Sequence, residues 1–332
     1  MKKHLCFLVV LASLIAWSLP GQAQERTLKF AYQNQKGHPQ DLGAQKFADA
    51  VQAKSGGKIV VKLFPGGQLG GDLQTVSALQ GGTIELTVLN AGILSAQAKE
   101  FAIFDFPFLF ADAKEADAVV DGPFGKKLFA KLEDKGIVGL GWFDLGFRNI
   151  TNSRRPINKV DDIEGLKIRV IQSPIYIDMF NAIGANATPM PFPEVYQALE
   201  QRVIDGQENP FTVIRGSKFQ EVQKFLAITN HTYNPQALII SRKTWDAMRA
   251  DEKKIVLEAA AEAERYQRQV SRAQADEALA DLKKAGMQVT EFSPAELQRF
   301  RDKVKPVIEK HGAVVGQDTI KELYGELAKI RK

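Results

Sequence analysis

One cysteine stands in 332 residues, Cys6, and it opens an apolar N-terminal run. The rest of the chain therefore has no disulfide framework, no thiol nucleophile and no cysteine-ligated metal. Histidine is almost as scarce: His4, His38, His231 and His311 stand apart, with no pair at metal-ligand spacing. There is no G-x-S-x-G elbow, no P-loop and no G-x-G-x-x-G after a strand. An excess of one charge is also missing. Lys and Arg number 44 against 39 Asp and Glu, for a net charge of +5, and they are interspersed. Without a cationic run or an aromatic–basic motif, no nucleic-acid partner is expected. Beyond the N-terminus no stretch reaches about 18 uninterrupted apolar residues, so no membrane-spanning helix is expected there. These absences predict no catalytic residue, no metal and no cofactor.

What is present begins with an export signal. Lys2 and Lys3 precede an apolar run from Leu5 to Trp17, and Leu19-Pro20-Gly21-Gln22-Ala23 then supplies small residues for cleavage after about Ala23. Residues 1–23 are read as a signal peptide and the chain as periplasmic. About 309 residues are left, enough for two domains or one large one, held by a core alone.

Periodicity then gives a β-α-β-α-β rhythm. Thr27–Tyr32, Ile59–Phe64 and Ile84–Leu89 read as strands. Leu42, Phe47, Ala48 and Val51 keep helical spacing up to Ser55-Gly56-Gly57, and Leu73, Val76 and Leu79 do so up to Gly81-Gly82. Alternation resumes at Ile137–Phe143, Lys167–Ile171, Leu226–Thr229 and Leu238–Ser241, with helices at Tyr176–Ile183 and Glu194–Arg202. Such a rhythm predicts an α/β chain with largely parallel sheets. Asp251 to about Ala285 is one long charged helix, and Ser293-Pro294-Ala295-Glu296 a capping box. Gly66-Gly67-Gln68-Leu69-Gly70-Gly71 reads as a turn into a helix, since it lacks the Lys-Ser/Thr of a phosphate cradle.

Two arginines stand out. Arg148 follows a predicted strand, and Arg169 ends another, where strand ends line crevices in α/β sheets. Lys167 shares the face of Arg169 but opens the strand, on the solvent side. A planar guanidinium suits a bidentate carboxylate clamp.

Three further segments make the pattern specific: Gly165-Leu166-Lys167-Ile168-Arg169-Val170; Pro189-Met190-Pro191-Phe192-Pro193-Glu194-Val195-Tyr196; and Val203-Ile204-Asp205-Gly206-Gln207-Glu208-Asn209-Pro210. In order and spacing they resemble the substrate-binding subunits of tripartite ATP-independent periplasmic (TRAP) transporters, the dicarboxylate-binding (DctP) type. The resemblance runs over nearly the whole exported chain, from Gly67-Gln68-Leu69-Gly70 through Phe106-Pro107-Phe108 to Thr229-Asn230-His231.

The resemblance implies a two-lobed periplasmic binding protein fold of type II-like form, a ligand cleft between the lobes and a long helix bridging both. Lobe I is expected over 24–145 plus about 235–274, and lobe II over 146–234 plus about 275–332. The implied partners are a small organic acid and the membrane permease subunits. Arg169 is the implied carboxylate clamp, Arg148 a second ligand-facing arginine, Asn209 an amide donor to the same carboxylate and Phe192 a packing wall. Gln33, His38, Asp72 and Asn90 match cleft positions of the other lobe, and Asp72 has a competing reading as a helix cap. Two other functions fit the same residues: a periplasmic enzyme acting on an organic acid, and a ligand-sensing receptor for a signalling kinase.

The sequence leaves the acid open. Trp142, Phe143, Phe147 and Phe211 at the ligand would favour an aromatic or short 2-oxo acid. His38, Asp72 and Asn90 there would favour a hydroxylated acid such as a uronate, and Arg148 paired with a second carboxylate would favour a C4-dicarboxylate. Uncharged Asn90-Ala91-Gly92-Ile93 argues against sialic acid, whose receptors in this class bring a further charge after the third strand.

Overall fold

The computed structural model describes residues 26–331. The expected signal peptide, with Cys6 and His4, lies outside the described residues. Strand β1 (Arg26–Ala31), helix α1 (Pro39–Lys54), β2 (Ile59–Phe64), α2 (Asp72–Gly81) and β3 (Leu86–Asn90) open the fold. Two 3-10 segments lead to α3 (Ala113–Asp121), α4 (Pro123–Ala130), β4 (Ile137–Phe147) and β5 (Asn149–Asn152). Then come β6 (Lys167–Val170), α5 (Pro174–Ala182), β7 (Asn186–Pro189), α6 (Val195–Glu200), β8 (Gly206–Asn209) and α7 (Phe211–Gly216). The chain closes with β9 (Phe225–Ile228), β10 (Tyr233–Ser241), α8 (Arg242–Asp246), α9 (Ala250–Lys284), β11 (Gln288–Glu291), α10 (Pro294–Val315) and α11 (Gln317–Ile330).

Two sheets form two lobes. One has the order β2-β1-β3-β10-β4 and the other β11-β9-β5-β8-β6-β7. Each is parallel except for one strand: β10 runs against β3 and β4, and β5 runs against β8 and β9. Both exceptions follow from connectivity. β4 passes into β5 through Arg148 alone, and β9 passes into β10 through residues 229–232, so each crossing strand enters its new sheet reversed. The crossings also bond to each other. Arg148 N–H donates to the Thr232 carbonyl at 2.9 Å, and the Asn149 side-chain oxygen accepts from the amides of Thr229 and Asn230 at 2.9 and 3.0 Å.

Helix α9 explains how a strongly charged segment becomes a brace. Its small residues Ala259, Ala260 and Ala263 are fully buried in the first lobe with Phe47, Val51 and Phe143. The next turns carry polar residues on the inner face, and these cover the open edge of β4. Glu264 accepts from Trp142 N–H at 3.0 Å, and Gln267 both accepts from Asp144 N–H and donates to its carbonyl at 2.7 Å. Arg268 and Ser271 donate to the carbonyls of Trp142 and Asp144 at 3.1 Å. An edge strand that would otherwise expose or orphan its backbone groups is completed by a helix. Gly43 permits the close approach of α1, since a Cβ there would lie 2.6 Å from Gln267 Cγ and 2.7 Å from Phe143. Further along, α9 reaches the second lobe, where Arg215 of α7 pairs with Asp281 at 2.8 Å.

Smaller expectations are met with adjustments. Ser293 caps α10, accepting from Glu296 N–H at 3.2 Å. The Glu296 carboxylate instead accepts from Val160 N–H at 2.9 Å, so the capping box is half made and its acid ties α10 to the loop before β6. No helix among the described residues is long and apolar enough to cross a membrane.

Candidate ligand-binding site

The C-terminal ends of β1, β3, β6 and β8 converge on a cavity between the two sheets. Gln33 lies just beyond β1, Asp72 opens α2 and Asn90 ends β3. Arg169 comes from β6, Phe192 from the segment after β7, and Asn209 from the last residue of β8. Arg148, at the crossing of β4 into β5, forms part of the floor. Seven of the eight positions expected from sequence thus line one cavity.

His38 is the exception. Its ring caps α1, with Nδ1 accepting from Gln40 N–H at 3.0 Å, which leaves the ring proton on Nε2 to donate to Thr212 Oγ1 at 3.3 Å. Burial first, then the nearby Arg215, pushes its pKa down to about 3, so the ring stays neutral. His38 is therefore a helix cap that touches the facing lobe and is not part of the cavity wall. Asp72 reverses the same ambiguity. Gln74 accepts from Gly71 N–H at 2.9 Å, the Asp72 side chain makes no capping bond, and its Oδ1 has no partner.

Arg169 is 3% exposed, and its only hydrogen-bond acceptor among the described residues is the Met190 carbonyl, met by Nε at 3.0 Å and by one terminal nitrogen at 2.6 Å. Three of its five N–H donors have no protein partner, and among the described residues no carboxylate forms an ion pair with it. Burial pulls its pKa down to about 10. Phe192 lies over the guanidinium at 5.7 Å, and Phe219 backs it at 6.1 Å. A buried cation with free donors is costly unless an anion arrives to meet it.

Arg148 is just as buried but already satisfied. Glu208 pairs with its Nε and, at 2.8 Å, with a terminal nitrogen; the Glu208 carbonyl accepts at 2.6 Å and the Asn234 side-chain oxygen at 2.8 Å. Four of its five donors are taken, so one is left for the cavity. Arg148 thus lines the cavity, but Glu208 and Asn234 already hold most of the donors that a second ligand carboxylate would need. Glu208 stays ionised: burial raises its pKa, but Arg148 and His231 together outweigh burial and the net shift is downward. His231 completes the cluster, its Nε2 3.2 Å from Glu208 and its Nδ1 2.8 Å from Thr229 Oγ1.

Asn209 is aimed by a chain of buried polar groups. Its amide donates to Gln207 at 2.6 Å, Gln207 donates to Thr151 at 2.9 Å, and Thr151 donates to Gln223 at 2.8 Å. Of the aromatic residues near the cleft, Phe192 alone lines the cavity among the described residues. Trp142 stacks on Phe129 at 4.2 Å in the core, Phe143 is core, and Phe147 packs on Tyr233 at 4.9 Å. Phe211 borders a separate apolar pocket behind β4.

Sequence reasoning missed Gln236, on β10, and Asn34 with its neighbour Gln40. Gln40 holds Asn34 by accepting from its backbone and side-chain amides at 3.1 and 2.9 Å. Gln236 alternates with apolar neighbours in a fully buried strand, so no local signal marks it.

Comparison with known proteins places this geometry. Residues 30–313 match the family described as bacterial extracellular solute-binding protein, family 7. The 2,3-diketo-L-gulonate-binding periplasmic protein YiaO of Escherichia coli is 36% identical over 287 residues, covering 86% of this chain and 87% of that protein. A TRAP periplasmic solute-binding protein of Ochrobactrum anthropi, with its C-terminus bound in the ligand-binding pocket, is 55% identical. Its TM-score is 0.82, with 93% of this chain and 96% of that one covered. The sugar acid binding protein DctPAm of Advenella mimigardefordensis, in complex with galactonate, is 42% identical with a TM-score of 0.90, covering 92% and 99%.

Proposed function

The chain belongs to the bacterial extracellular solute-binding proteins of family 7, the substrate-binding proteins of TRAP transporters, and from that membership we propose that it captures an organic acid through Arg169 and delivers it to a membrane permease. Proteins of this family are periplasmic transport components and not enzymes. One observation carries the clamp: a nearly buried guanidinium lines the cavity, and among the described residues three of its donors have no partner and no carboxylate forms an ion pair with it. Asn209 adds an amide donor and Arg148 a single N–H, while Phe192 excludes water and so strengthens the charge pair. Galactonate in one relative and 2,3-diketo-L-gulonate in the name of another support an organic acid as ligand.

Delivery follows from closure. The ligand touches Arg169 on one lobe and the Gln33, Asp72 and Asn90 wall on the other, so it stabilises the closed form over the open one. Closure reshapes the outer surface that a permease reads, and an ion gradient at the permease drives uptake. The exported form begins after about Ala23. Its lobes comprise 24–145 with about 235–274, and 146–234 with about 275–332. Arg169→Gln tests the clamp: titration calorimetry should give a loss of about 2–5 kcal/mol in acid binding. Unchanged affinity would remove Arg169 from this role. Acid uptake by cells that express the permease subunits should require this chain, and uptake without it would contradict delivery.

A further inference from the structure

We propose that the ligand is a polyhydroxylated monocarboxylate, with hydroxyls that donate to Gln33, Asp72, Asn90 and Gln236, and that dicarboxylates are rejected. The proposal rests on Arg169 as the carboxylate clamp and adds the chemistry of the remainder of the ligand.

Four oxygens of residues that line the cavity are shielded from solvent and have no hydrogen-bond partner among the described residues: Gln33 Oε1, Asp72 Oδ1, Asn90 Oδ1 and Gln236 Oε1. They come from four separate elements of the first lobe, and Arg169 and Asn209 face the same cavity from the second. Buried acceptors are nearly always satisfied in folded proteins, and each orphan carries a desolvation cost. Four orphans around one cavity point to donors that arrive with the ligand.

The chemistry of those donors is narrow. A hydroxyl donates to a carboxylate or amide oxygen and accepts from an amide N–H, so it suits all four side chains whichever edge an amide presents. A keto or ether oxygen only accepts. A second carboxylate also only accepts, and it would meet the Asp72 carboxylate with no free cation to offset the repulsion. Arg148, the other cation at the cavity, is committed to Glu208. An aromatic tail finds only Phe192, which already covers Arg169. Gln33 and Gln236 are at least nine-tenths buried, so an apolar tail would leave their oxygens unpaired.

Titration calorimetry of the exported chain with two series of constant length tests this: threonate, butyrate and succinate; then gluconate, hexanoate and adipate. The hydroxy acid of at least one series should bind about 100-fold tighter than both its counterparts, since a site built for hydroxyls rejects analogues that lack them. Asp72→Leu should abolish most of that preference. Tighter binding of succinate or adipate, or equal binding of butyrate or hexanoate, would overturn the hydroxyl wall and leave the Arg169 clamp standing. Binding of none of the six would overturn both.

Discussion

Glu208→Gln is the sharpest probe of how the cavity floor is held. The side chain is fully buried, and among the described residues its carboxylate is the one that forms an ion pair with the equally buried Arg148. Glutamine keeps the shape but loses the charge, and either orientation turns an NH2 toward donors. One orientation faces Arg148 Nε and His231 Nε2, and the other faces the terminal nitrogen of Arg148. An uncompensated buried guanidinium costs about 3–5 kcal/mol, whereas removal of both charges together is often close to neutral. Urea denaturation of the exported chain should therefore show a loss of about 3–5 kcal/mol for Glu208→Gln. The double variant with Arg148→Met should lose clearly less than the sum of its single losses. A loss below about 1 kcal/mol, or strict additivity in the double variant, would refute the account of Arg148 as a neutralised floor.

Three further outcomes follow from the packing. Asp105, fully buried against Ser173 Oγ at 2.7 Å, has its pKa pushed up to about 7 by burial, so the folded state holds a proton that the unfolded state releases. Its stabilising contribution is complete below about pH 4 and lost as pH rises through about 7; Asp105→Asn should gain up to about 4 kcal/mol over the parent between pH 4 and 8, and parallel urea profiles would contradict this. Gly43→Ala would set a methyl 2.6 Å from Gln267 Cγ, so thermal and urea melts should show a loss of about 1–3 kcal/mol, and unchanged melts would show that α1 and α9 are not tightly apposed. Gly71 faces Pro191 across the cleft mouth, with an added Cβ 3.2 Å from Pro191 Cβ. Gly71→Val should hold the lobes ajar and weaken acid binding about tenfold or more while the unliganded protein melts within a few degrees of the parent; full affinity would place the closure contact elsewhere.

The layers of this fold were legible where apolar spacing carries them. β1, β2, α1 and α9 lie within a few residues of their expected bounds, and Lys167 and Arg169 divide between solvent and cavity as their positions along β6 require. The short polar strands were not legible. β5 reads Asn-Ile-Thr-Asn and β8 reads Gly-Gln-Glu-Asn, yet all eight residues are buried, because Thr151, Gln207 and Asn209 bond one another and Asn149, Asn152 and Glu208 find partners just outside the two strands. Intrinsic strand preference gives no hint of such segments. Arg148 could be marked as important from its motif, but its partner Glu208 lies 60 residues away, so the pairing of its charge is a tertiary fact. His38 misled for a related reason: a histidine before Pro39 is an unusual cap, and only the fold shows its ring turned back on Gln40.

The most direct test of the account is a crystal structure of the exported chain with the tightest-binding acid of the calorimetric series. The account predicts a ligand carboxylate within about 3 Å of the Arg169 guanidinium, with Arg148 still paired to Glu208 and ligand hydroxyls on the oxygens of Asp72, Asn90 and Gln236. A carboxylate seated away from Arg169, with that guanidinium still unpaired, would contradict the central claim.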